Sequence, residues 1–416
     1  MRSSLRYTGN STGQTFATDD PSVNKRAEDT LSSILGGRAL QQEEAVQLLM
    51  CSGETALVLR SVAATRRNLA KGRTISYSRK VFIPLTNLCR DACGYCTFKQ
   101  DPWEKDAKSM TPAEVLQVAK TGRRQNCTEA LFTLGERPEQ RIPEYRTFLR
   151  TLGFSTTLEY LRHVSELVIE KTGLLPHANP GTMTKKEMSS LRDVNASMGL
   201  MLENVSERLC MKGGPHAQAP SKHPKLRLAT IKNAGELKIA FTTGLLIGIG
   251  ETPEEIVDSL YAIKKLNDEY GNIQEVIIQN FRAKQDTPMR KNVEPSHEFM
   301  QNVVAITRLL FNEGMNIQVP PNLSPDSYPD FLACGINDWG GISPVTIDYV
   351  NPEAPWPEVL TINRVCEDCG FKLKPRLPIY PEFILKKTGF VPETIKTLIE
   401  SMIDNDGYAS WGESHN

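Results

Sequence analysis

From Lys80 onward, short apolar runs of strand length alternate with longer amphipathic segments of helical period. This alternation is typical of repeated βα units around a parallel sheet. The candidate strands are Val81–Leu85, Ala130–Leu134, Leu174–Ala178, Leu200–Leu202, Phe241–Ile247, Val276–Gln279, Ile317–Val319 and, as the weakest, Ala333–Ile336. Eight such units predict an α/β fold with a (β/α)8 barrel of the TIM type. Six or seven strands would instead make a partly open barrel.

Two of the helices between these strands carry clear start signals. Thr111–Glu114 reads Thr-Pro-Ala-Glu, and Thr252–Glu255 reads Thr-Pro-Glu-Glu. Both are capping boxes with proline at the first helical position. After the second box, the apolar residues between Ile256 and Leu266 recur at helical spacing and predict one buried stripe.

The rest of the chain is arranged around a barrel predicted for residues 76–350. Residues 1–27 are rich in Ser, Thr, Asn, Gly and Asp and predict a flexible tail. Residues 28–75 follow a helical pattern and predict an N-terminal helical extension. Residues 351–416 are expected to form a C-terminal extension packed on the barrel.

Composition narrows the classes of function. The 416 residues include 49 Lys and Arg against 49 Asp and Glu, and this balance argues against bulk electrostatic binding to nucleic acid or a membrane. The longest apolar run, Phe241–Gly250, is too short to span a bilayer. Because no apolar signal segment begins the chain, we expect a cytoplasmic protein. Arg2 and Arg6 leave organelle import open, although Asp19 and Asp20 sit badly in a transit peptide.

The strongest chemical signal is Cys89-Arg-Asp-Ala-Cys93-Gly-Tyr-Cys96, soon after the first predicted strand. Three thiolates at this spacing can converge on one soft metal centre, and they leave one iron of a four-iron cluster without a protein ligand. A structural zinc would need a fourth close ligand, and Cys127 lies beyond a predicted helix. Cys366 and Cys369 form an isolated pair, which does not indicate a second cluster.

The Cys-x3-Cys-x2-Cys motif, with Tyr95 before the last cysteine, resembles the radical S-adenosylmethionine superfamily. The resemblance implies a 4Fe-4S cluster held by Cys89, Cys93 and Cys96, with S-adenosylmethionine chelated at the open iron. It also implies an external electron donor and a 5′-deoxyadenosyl radical that abstracts hydrogen. The protein then supplies orientation and shelter from water, and Tyr95 is expected to contact the cofactor.

The same resemblance assigns further cofactor contacts at other strand ends. Gly135 and Glu136 resemble the Gly-Gly-Glu segment that receives the methionine amino group, although Leu134 stands where the first glycine is usual. Arg227 corresponds to an arginine that clamps the methionine carboxylate, a task suited to a bidentate guanidinium. The glycine-rich stretch that the family places against the adenine corresponds to Gly248, Gly250 and Glu251.

Four longer stretches narrow the match: residues 82–89, 241–252, 274–284 and 335–344. They resemble the CofG family, subunit 1 of 7,8-didemethyl-8-hydroxy-5-deazariboflavin (FO) synthase. The likeness extends from about Leu31 to Phe383, and the Gly-Ile-Asn-Asp-Trp-Gly-Gly block at 335–341 is its most specific part. It departs at Ala240, where proline is usual, and at Gln285-Asp286, where Pro-Gly is usual.

The resemblance implies an ammonia lyase that closes a ring. A separate subunit 2 of the CofH type joins a tyrosine-derived hydroxybenzyl group to a ribitylaminouracil. Subunit 1 then cyclises the product, 5-amino-5-(4-hydroxybenzyl)-6-(D-ribitylimino)-5,6-dihydrouracil, with loss of ammonia to give the deazaflavin of coenzyme F420. Candidate residues for the pyrimidine and the polyhydroxy chain are His177, Asn179, Gln279, Asn280, Arg282, Asn337 and Asp338. The sequence assigns no catalytic residue among them.

Two kinds of alternative stay open. Within the superfamily, subunit 2, the futalosine-pathway enzymes of menaquinone biosynthesis and a biotin-synthase-like enzyme share the cysteine triplet and the glycine-rich strand. Outside it, a noncatalytic iron–sulfur protein also clusters cysteines, although an electron carrier would prefer a fourth.

Overall fold

The structure, a computed structural model, describes residues 21–311 and 314–410. Residues 1–20 of the predicted flexible tail therefore lie outside the described residues. Residues 21–27 belong to the first helix, which begins at Pro21. Within the described ranges, no helix combines the length and the apolar character needed to cross a membrane.

Nine strands of the described chain form one parallel sheet. They are β1 Thr74–Thr86, β2 Glu129–Leu134, β3 Leu175–Asn179, β4 Ser197–Gly199, β5 Phe241–Ile247, β6 Ile273–Asn280, β7 Asn316–Gln318, β8 Asp338–Ile342 and β9 Lys372–Arg376. The order is β2-β3-β4-β5-β6-β7-β8-β1-β9, and β1 also pairs with β2. This last pairing closes the first eight strands into a barrel. The (β/α)8 prediction is confirmed, and the barrel is not open.

The helices that flank and extend the barrel follow the predicted alternation. They are α1 Pro21–Leu35, α2 Gln42–Leu49, α3 Gly53–Lys71, α4 Pro112–Arg124, α5 Pro143–Thr151, α6 Thr157–Thr172, α7 Lys185–Arg192, α8 Pro224–Glu236, α9 Pro253–Tyr270, α10 His297–Leu310, α11 Val359–Asp368, α12 Pro381–Leu385 and α13 Lys396–Glu400. The capping boxes at Thr111 and Thr252 are both present. Ile256, Leu260 and Ile263 are buried on α9, as the apolar stripe predicts.

The N-terminal helices pack on one side of the barrel, where α3 contacts α10. Arg67 of α3 is buried and donates hydrogen bonds to the carbonyl oxygens of Leu332, at 3.0 Å, and Ile336, at 2.5 Å. These bonds satisfy a buried guanidinium and tie the extension to the segment before β8.

The ninth strand lengthens the barrel wall at its amino-terminal end. Residues 80–86 of β1 pair with β2, whereas residues 74–78 pair with β9. Beyond β9, Leu377 and Phe383 pack with Leu175, Ala196 and Ala240, which lie at or just before the starts of β3, β4 and β5. This C-terminal segment therefore covers the amino-terminal end of the barrel. Sequence reasoning missed β9 because Lys372-Leu-Lys-Pro-Arg376 contains proline and three cations, which are unusual in strands.

Two strand predictions were wrong. β4 is Ser197–Gly199 rather than Leu200–Leu202, because those leucines are buried in the segment that follows the strand. β8 is Asp338–Ile342 rather than Ala333–Ile336, and Tyr328–Cys334 forms a 3-10 helix. The true β8 contains two glycines and an aspartate, so it lacks the β-branched composition that marks a strand.

Candidate active site

One cavity of about 390 Å³ extends from the loop after β1 down into the barrel, and every strand of the sheet contributes to its lining. A barrel enzyme holds its site at the carboxyl ends of its strands. The upper part of this cavity, beside the cysteine loop, is at that end. Its lower part reaches between the strands toward β9, where an ordinary barrel would be filled by side chains.

The three clustered cysteines all line the cavity, and none forms a disulfide. The Sγ of Cys89 accepts hydrogen bonds from the backbone N–H groups of Asp91, at 3.4 Å, and Glu136, at 3.1 Å. Burial raises the pKa of the Cys89 and Cys93 thiols to about 12. Coordination to a metal would lower the pKa of these thiols, because a metal binds the thiolate. The loop therefore shelters three thiols that could serve as metal ligands, and two backbone N–H groups donate to one of the sulfurs.

Three thiols on one loop are the donor set that a four-iron cluster takes. Among the described residues, no three His, Cys, Asp or Glu side chains converge closely enough to hold one metal ion. In a four-iron cluster each cysteine binds a different iron, so its ligands lie farther apart. Backbone N–H donors to the sulfur are the kind of outer contact that tunes such clusters. The other six cysteines do not line the cavity.

Glu136 occupies a fixed position beside this loop. Its carboxylate accepts hydrogen bonds from the backbone N–H of Thr182 at 3.0 Å and the Thr182 hydroxyl at 2.7 Å. Burial raises the pKa of the Glu136 carboxyl. A Cβ at Gly181 would lie 1.5 Å from the Glu136 Oε2 atom, and one at Gly135 would lie 1.9 Å from the Leu88 carbonyl oxygen. Both glycines are therefore needed for Glu136 to approach the cysteine loop.

Arg227, on α8, reaches the same part of the cavity and is 4% exposed. One of its guanidinium nitrogens donates to the carbonyl oxygen of Met201. Its Nε atom is buried without a hydrogen-bond partner in the described chain. Because buried donors are nearly always satisfied, this atom indicates an acceptor that a ligand would bring.

Tyr95 lines the cavity, and its hydroxyl lies 3.0 Å from the Nε2 atom of His216. The Nζ atom of Lys222 lies 5.9 Å from the Tyr95 ring centroid and forms a 2.5 Å ion pair with Glu203. Burial lowers the pKa of His216 to about 3, so that ring is neutral. Sequence reasoning missed His216 and Lys222 because the segment between β4 and α8 carries no periodic pattern.

The residues predicted to contact adenine lie in the turn after β5, outside the lining of the cavity. Gly248, Gly250 and Glu251 do not line the cavity. Gly248 and Gly250 have φ values of +100° and +108°, which favour glycine. The Glu251 carboxylate accepts the backbone N–H of Gly248 at 2.6 Å and of Ile249 at 2.8 Å. These residues shape the turn after β5, and their contact with adenine stays a prediction.

Five of the seven candidate substrate residues line the cavity: His177, Asn179, Gln279, Asn280 and Arg282. Asn280 and Arg282 both donate to the Leu323 carbonyl oxygen, at 3.2 and 2.8 Å, and the Oδ1 of Asn280 is buried without a partner in the described chain. The Nδ1 of His177 lies 2.6 Å from the Ser197 hydroxyl. Burial lowers the pKa of His177 to about 4.

Asn337 and Asp338 do not line the cavity, which corrects their placement beyond the eighth strand. β8 starts later than the sequence pattern indicated, so Asn337 immediately precedes the strand and Asp338 is its first residue. The Oδ1 of Asn337 accepts hydrogen bonds from Arg308 at 2.8 Å and from the Ile317 N–H at 3.0 Å. Asp338 binds Arg376 at the amino-terminal end of the barrel.

The closed barrel and its cysteine-lined cavity agree with the sequence comparisons, which assign the protein to the class of radical S-adenosylmethionine enzymes. The sequence pattern of the Radical SAM superfamily matches residues 83–261. Enzymes of this superfamily use a 4Fe-4S cluster and S-adenosylmethionine, and the cavity supplies ligands of the right chemistry for both.

The relatives narrow the class to one family. The chain is 49% identical to the 7,8-didemethyl-8-hydroxy-5-deazariboflavin synthase of Methanopyrus kandleri, over 80% of this chain and 99% of that protein. It is 48% identical to the synthase of the same name from Methanocaldococcus jannaschii, over 83% of this chain and 94% of that protein. The chain belongs to the 7,8-didemethyl-8-hydroxy-5-deazariboflavin synthase family. This family acts in coenzyme F420 biosynthesis.

A longer relative agrees with this family, and two solved structures agree with the fold. The chain is 44% identical to the FO synthase of Nocardia farcinica over 93% of its own length, but it spans only 46% of that protein. The structure of the FeFe-hydrogenase maturase HydG from Carboxydothermus hydrogenoformans has a TM-score of 0.69 at 19% identity, covering 92% of this chain and 91% of that one. Methylornithine synthase (PylB) has a TM-score of 0.66 at 18% identity, covering 83% and 97%. At these identities the two structures support the fold alone.

Proposed function

We propose that this protein is an ammonia lyase of the FO synthase subunit 1 type. It converts 5-amino-5-(4-hydroxybenzyl)-6-(D-ribitylimino)-5,6-dihydrouracil into 7,8-didemethyl-8-hydroxy-5-deazariboflavin with release of ammonia. The observation that carries this proposal is the 49% identity that extends over 99% of the Methanopyrus kandleri synthase. The cavity, which joins a cysteine loop to a polar barrel interior, supports it.

Three groups of side chains divide the task of holding the cofactors. Cys89, Cys93 and Cys96 hold the cluster, and Glu136 and Arg227 receive the amino and carboxylate groups of the methionine end. The buried Nε of Arg227 that lacks a partner and the carboxylate of Glu136 supply one charge for each end of that zwitterion. When bound, the cluster and S-adenosylmethionine supply hydrogen-atom abstraction, and the closed barrel excludes water from the reacting groups.

The substrate would come from a partner. We propose that a separate subunit 2 makes the adduct and that an external electron donor reduces the cluster. The Nocardia farcinica FO synthase supports this division, because it matches this chain over 46% of its length and contains further sequence that this chain does not match.

A coupled assay tests the division of labour. The reconstituted protein is incubated anaerobically with reductant, S-adenosylmethionine, tyrosine and the ribitylaminouracil, with and without subunit 2. Fluorescent deazaflavin should form only when both proteins are present. Deazaflavin formed without subunit 2 would contradict the division, and a Cys93→Ala protein serves as the negative control.

A further inference from the structure

The lower part of the cavity is polar, although it lies inside the barrel. We call these residues the barrel floor: Lys80, Glu129, His177, Thr242, Glu275, Gln318 and Arg376. Each comes from a different strand, each is buried, and all line the cavity. The interior of a (β/α)8 barrel is normally filled by branched apolar side chains. Charged groups in that place cost desolvation free energy, so their presence points to a ligand.

The floor is built from two networks of ion pairs. On one side, the Nζ of Lys80 lies 2.9 Å from the Oε1 of Glu129. On the other side, Arg376 lies 3.1 Å from Glu275, which also accepts the Thr242 hydroxyl at 2.8 Å and the Tyr380 hydroxyl at 2.6 Å. Both networks therefore present donors and acceptors side by side.

Glycines on neighbouring strands make room for these long side chains. A Cβ at Gly341 would lie 1.8 Å from the Cε of Lys80. A Cβ at Gly340 would lie 2.0 Å from the Nε2 of Gln318. Glycine at positions 340 and 341 therefore leaves space for the side chains of Gln318 and Lys80 to lie across the barrel interior.

The floor carries no cation without a carboxylate partner. Lys80 and Arg376 face three carboxylates: Glu129, Glu275 and the adjoining Asp338. Burial alone would raise the pKa of Glu129, but the charge of Lys80 holds it below its ordinary value. His177 is neutral at physiological pH because burial lowers its pKa to about 4. A phosphate or carboxylate on a ligand would therefore find no counter-ion here.

We propose that the barrel floor is the subsite for the ribityl chain of the adduct and that it takes this chain as an uncharged polyol. The inference rests on the proposed function. Each hydroxyl of a polyol both donates and accepts a hydrogen bond, and ion pairs such as Lys80–Glu129 offer both partners within 3 Å of each other. The adduct presents four such hydroxyls on a flexible chain.

The wall above the floor suits the other end of the adduct. Phe82 follows Lys80 by two residues on β1, so both side chains face the same side of the strand. The Phe82 ring stacks on Trp356 with centroids 5.1 Å apart, and both rings line the cavity. The lining thus changes from polar to aromatic toward the cysteine loop. A ribityl chain on the floor places the ring system of the adduct beside these aromatics, below the cofactors.

Binding measured without turnover tests the subsite. The reconstituted protein is titrated anaerobically with three compounds. They are the ribitylaminouracil, the analogue in which a methylamino group replaces the ribitylamino group, and the 5′-phosphate of the ribitylaminouracil. We expect the methylamino compound and the phosphate each to bind at least about tenfold more weakly. The methylamino compound leaves charged groups of the floor without hydrogen-bond partners, and the phosphate would be buried without a counter-ion. Equal binding of the methylamino compound would overturn the subsite. Equal binding of the phosphate would overturn the requirement for an uncharged chain.

Two adjacent threonines provide a matched pair of variants. Thr242 lines the cavity, whereas Thr243 is buried without lining it. Thr242→Val should reduce the preference for the ribityl compound over the methylamino compound several-fold, and Thr243→Val should leave it unchanged. Glu129→Gln is a second floor variant and should act like Thr242→Val. Preferences that stay at the parent value in both floor variants would overturn the proposal.

The proposed function fails in a different way. A protein that prefers the ribityl compound but forms no deazaflavin from the purified adduct would contradict the lyase reaction and support the subsite. A protein that forms deazaflavin but shows no preference would support the lyase reaction and overturn the subsite.

Discussion

The backbone N–H of Glu136 donates a 3.1 Å hydrogen bond to the Sγ of Cys89. Just after β2, Glu136 therefore contacts Cys89 through its backbone and lines the cavity. In the proposed function, its carboxylate receives the methionine amino group. The position of the cysteine loop is thus tied to the position of the Glu136 carboxylate, and both depend on Gly135 and Gly181.

Gly181→Ala should weaken binding of S-adenosylmethionine at least about tenfold while the cluster remains. The new Cβ would lie 1.5 Å from the Oε2 of Glu136 and must displace that carboxylate. Gly153→Ala is the matched control, because Gly153 has a nearly equal φ of +85° and no atom near its Cβ position. The measurements are the equilibrium affinity of each variant for S-adenosylmethionine and its iron content. Equal affinities would place the amino-group contact elsewhere.

Cys93→Ala should lose most of the iron and sulfide after anaerobic reconstitution, because two cysteines do not retain a four-iron cluster well. Cys369→Ala should keep the parent content, since Cys369 is exposed and lies outside the cavity. Iron and sulfide analysis with the visible absorption spectrum measures both. A full cluster in the Cys93 variant would refute the ligand set.

The sequence predicted the barrel and the cysteine loop because both rest on short-range patterns. Phe241–Ile247 was predicted with the bounds that β5 has, since the strand is a continuous apolar run. The position of β8 was not predictable in this way. Its Asp338-Trp-Gly-Gly-Ile342 is held by pairing with β1 and by Arg376, which lies 38 residues away in the chain.

The barrel floor was missed for a related reason. Lys80 and Glu129 are next to apolar strand runs and resemble ordinary strand-end charges in the sequence. The pairing of β1 with β2 brings them opposite each other, and only β9 brings Arg376 below them. Long-range contacts of this kind leave no local periodicity. For the same reason Asn337 and Asp338 were expected at the wrong end of the barrel.

Asp338→Ala should destabilise the fold by roughly 3–5 kcal/mol, because it leaves the buried Arg376 guanidinium without its two closest acceptor atoms. Those atoms lie 2.7 and 3.0 Å from the guanidinium, and Asp338 is fully buried. Urea unfolding of the protein without cofactors measures the change. Glu170→Ala, which removes an exposed ion pair with Lys171, should leave the midpoint nearly unchanged. A similar shift in both variants would contradict a structural role for Asp338.

His177 should make stability depend on pH between about 6.5 and 4. Burial lowers its folded-state pKa from 6.5 to about 4, so the unfolded chain binds a proton in this range that the folded chain does not. Stability therefore falls as the pH decreases through this window, by up to about 1.4 kcal/mol per pH unit. His177→Gln should reduce that slope. His163→Gln, at an exposed position, should not. Equal slopes in the two variants would show that His177 titrates normally.

The most direct test of the central claim uses the purified adduct and omits subunit 2. The reconstituted protein is incubated anaerobically with reductant, S-adenosylmethionine and the adduct, and the deazaflavin, 5′-deoxyadenosine, methionine and ammonia are quantified together. We predict that deazaflavin and ammonia form in equal amounts, with at least as much 5′-deoxyadenosine and methionine. Abundant 5′-deoxyadenosine without deazaflavin or ammonia would contradict the account and indicate a different radical reaction.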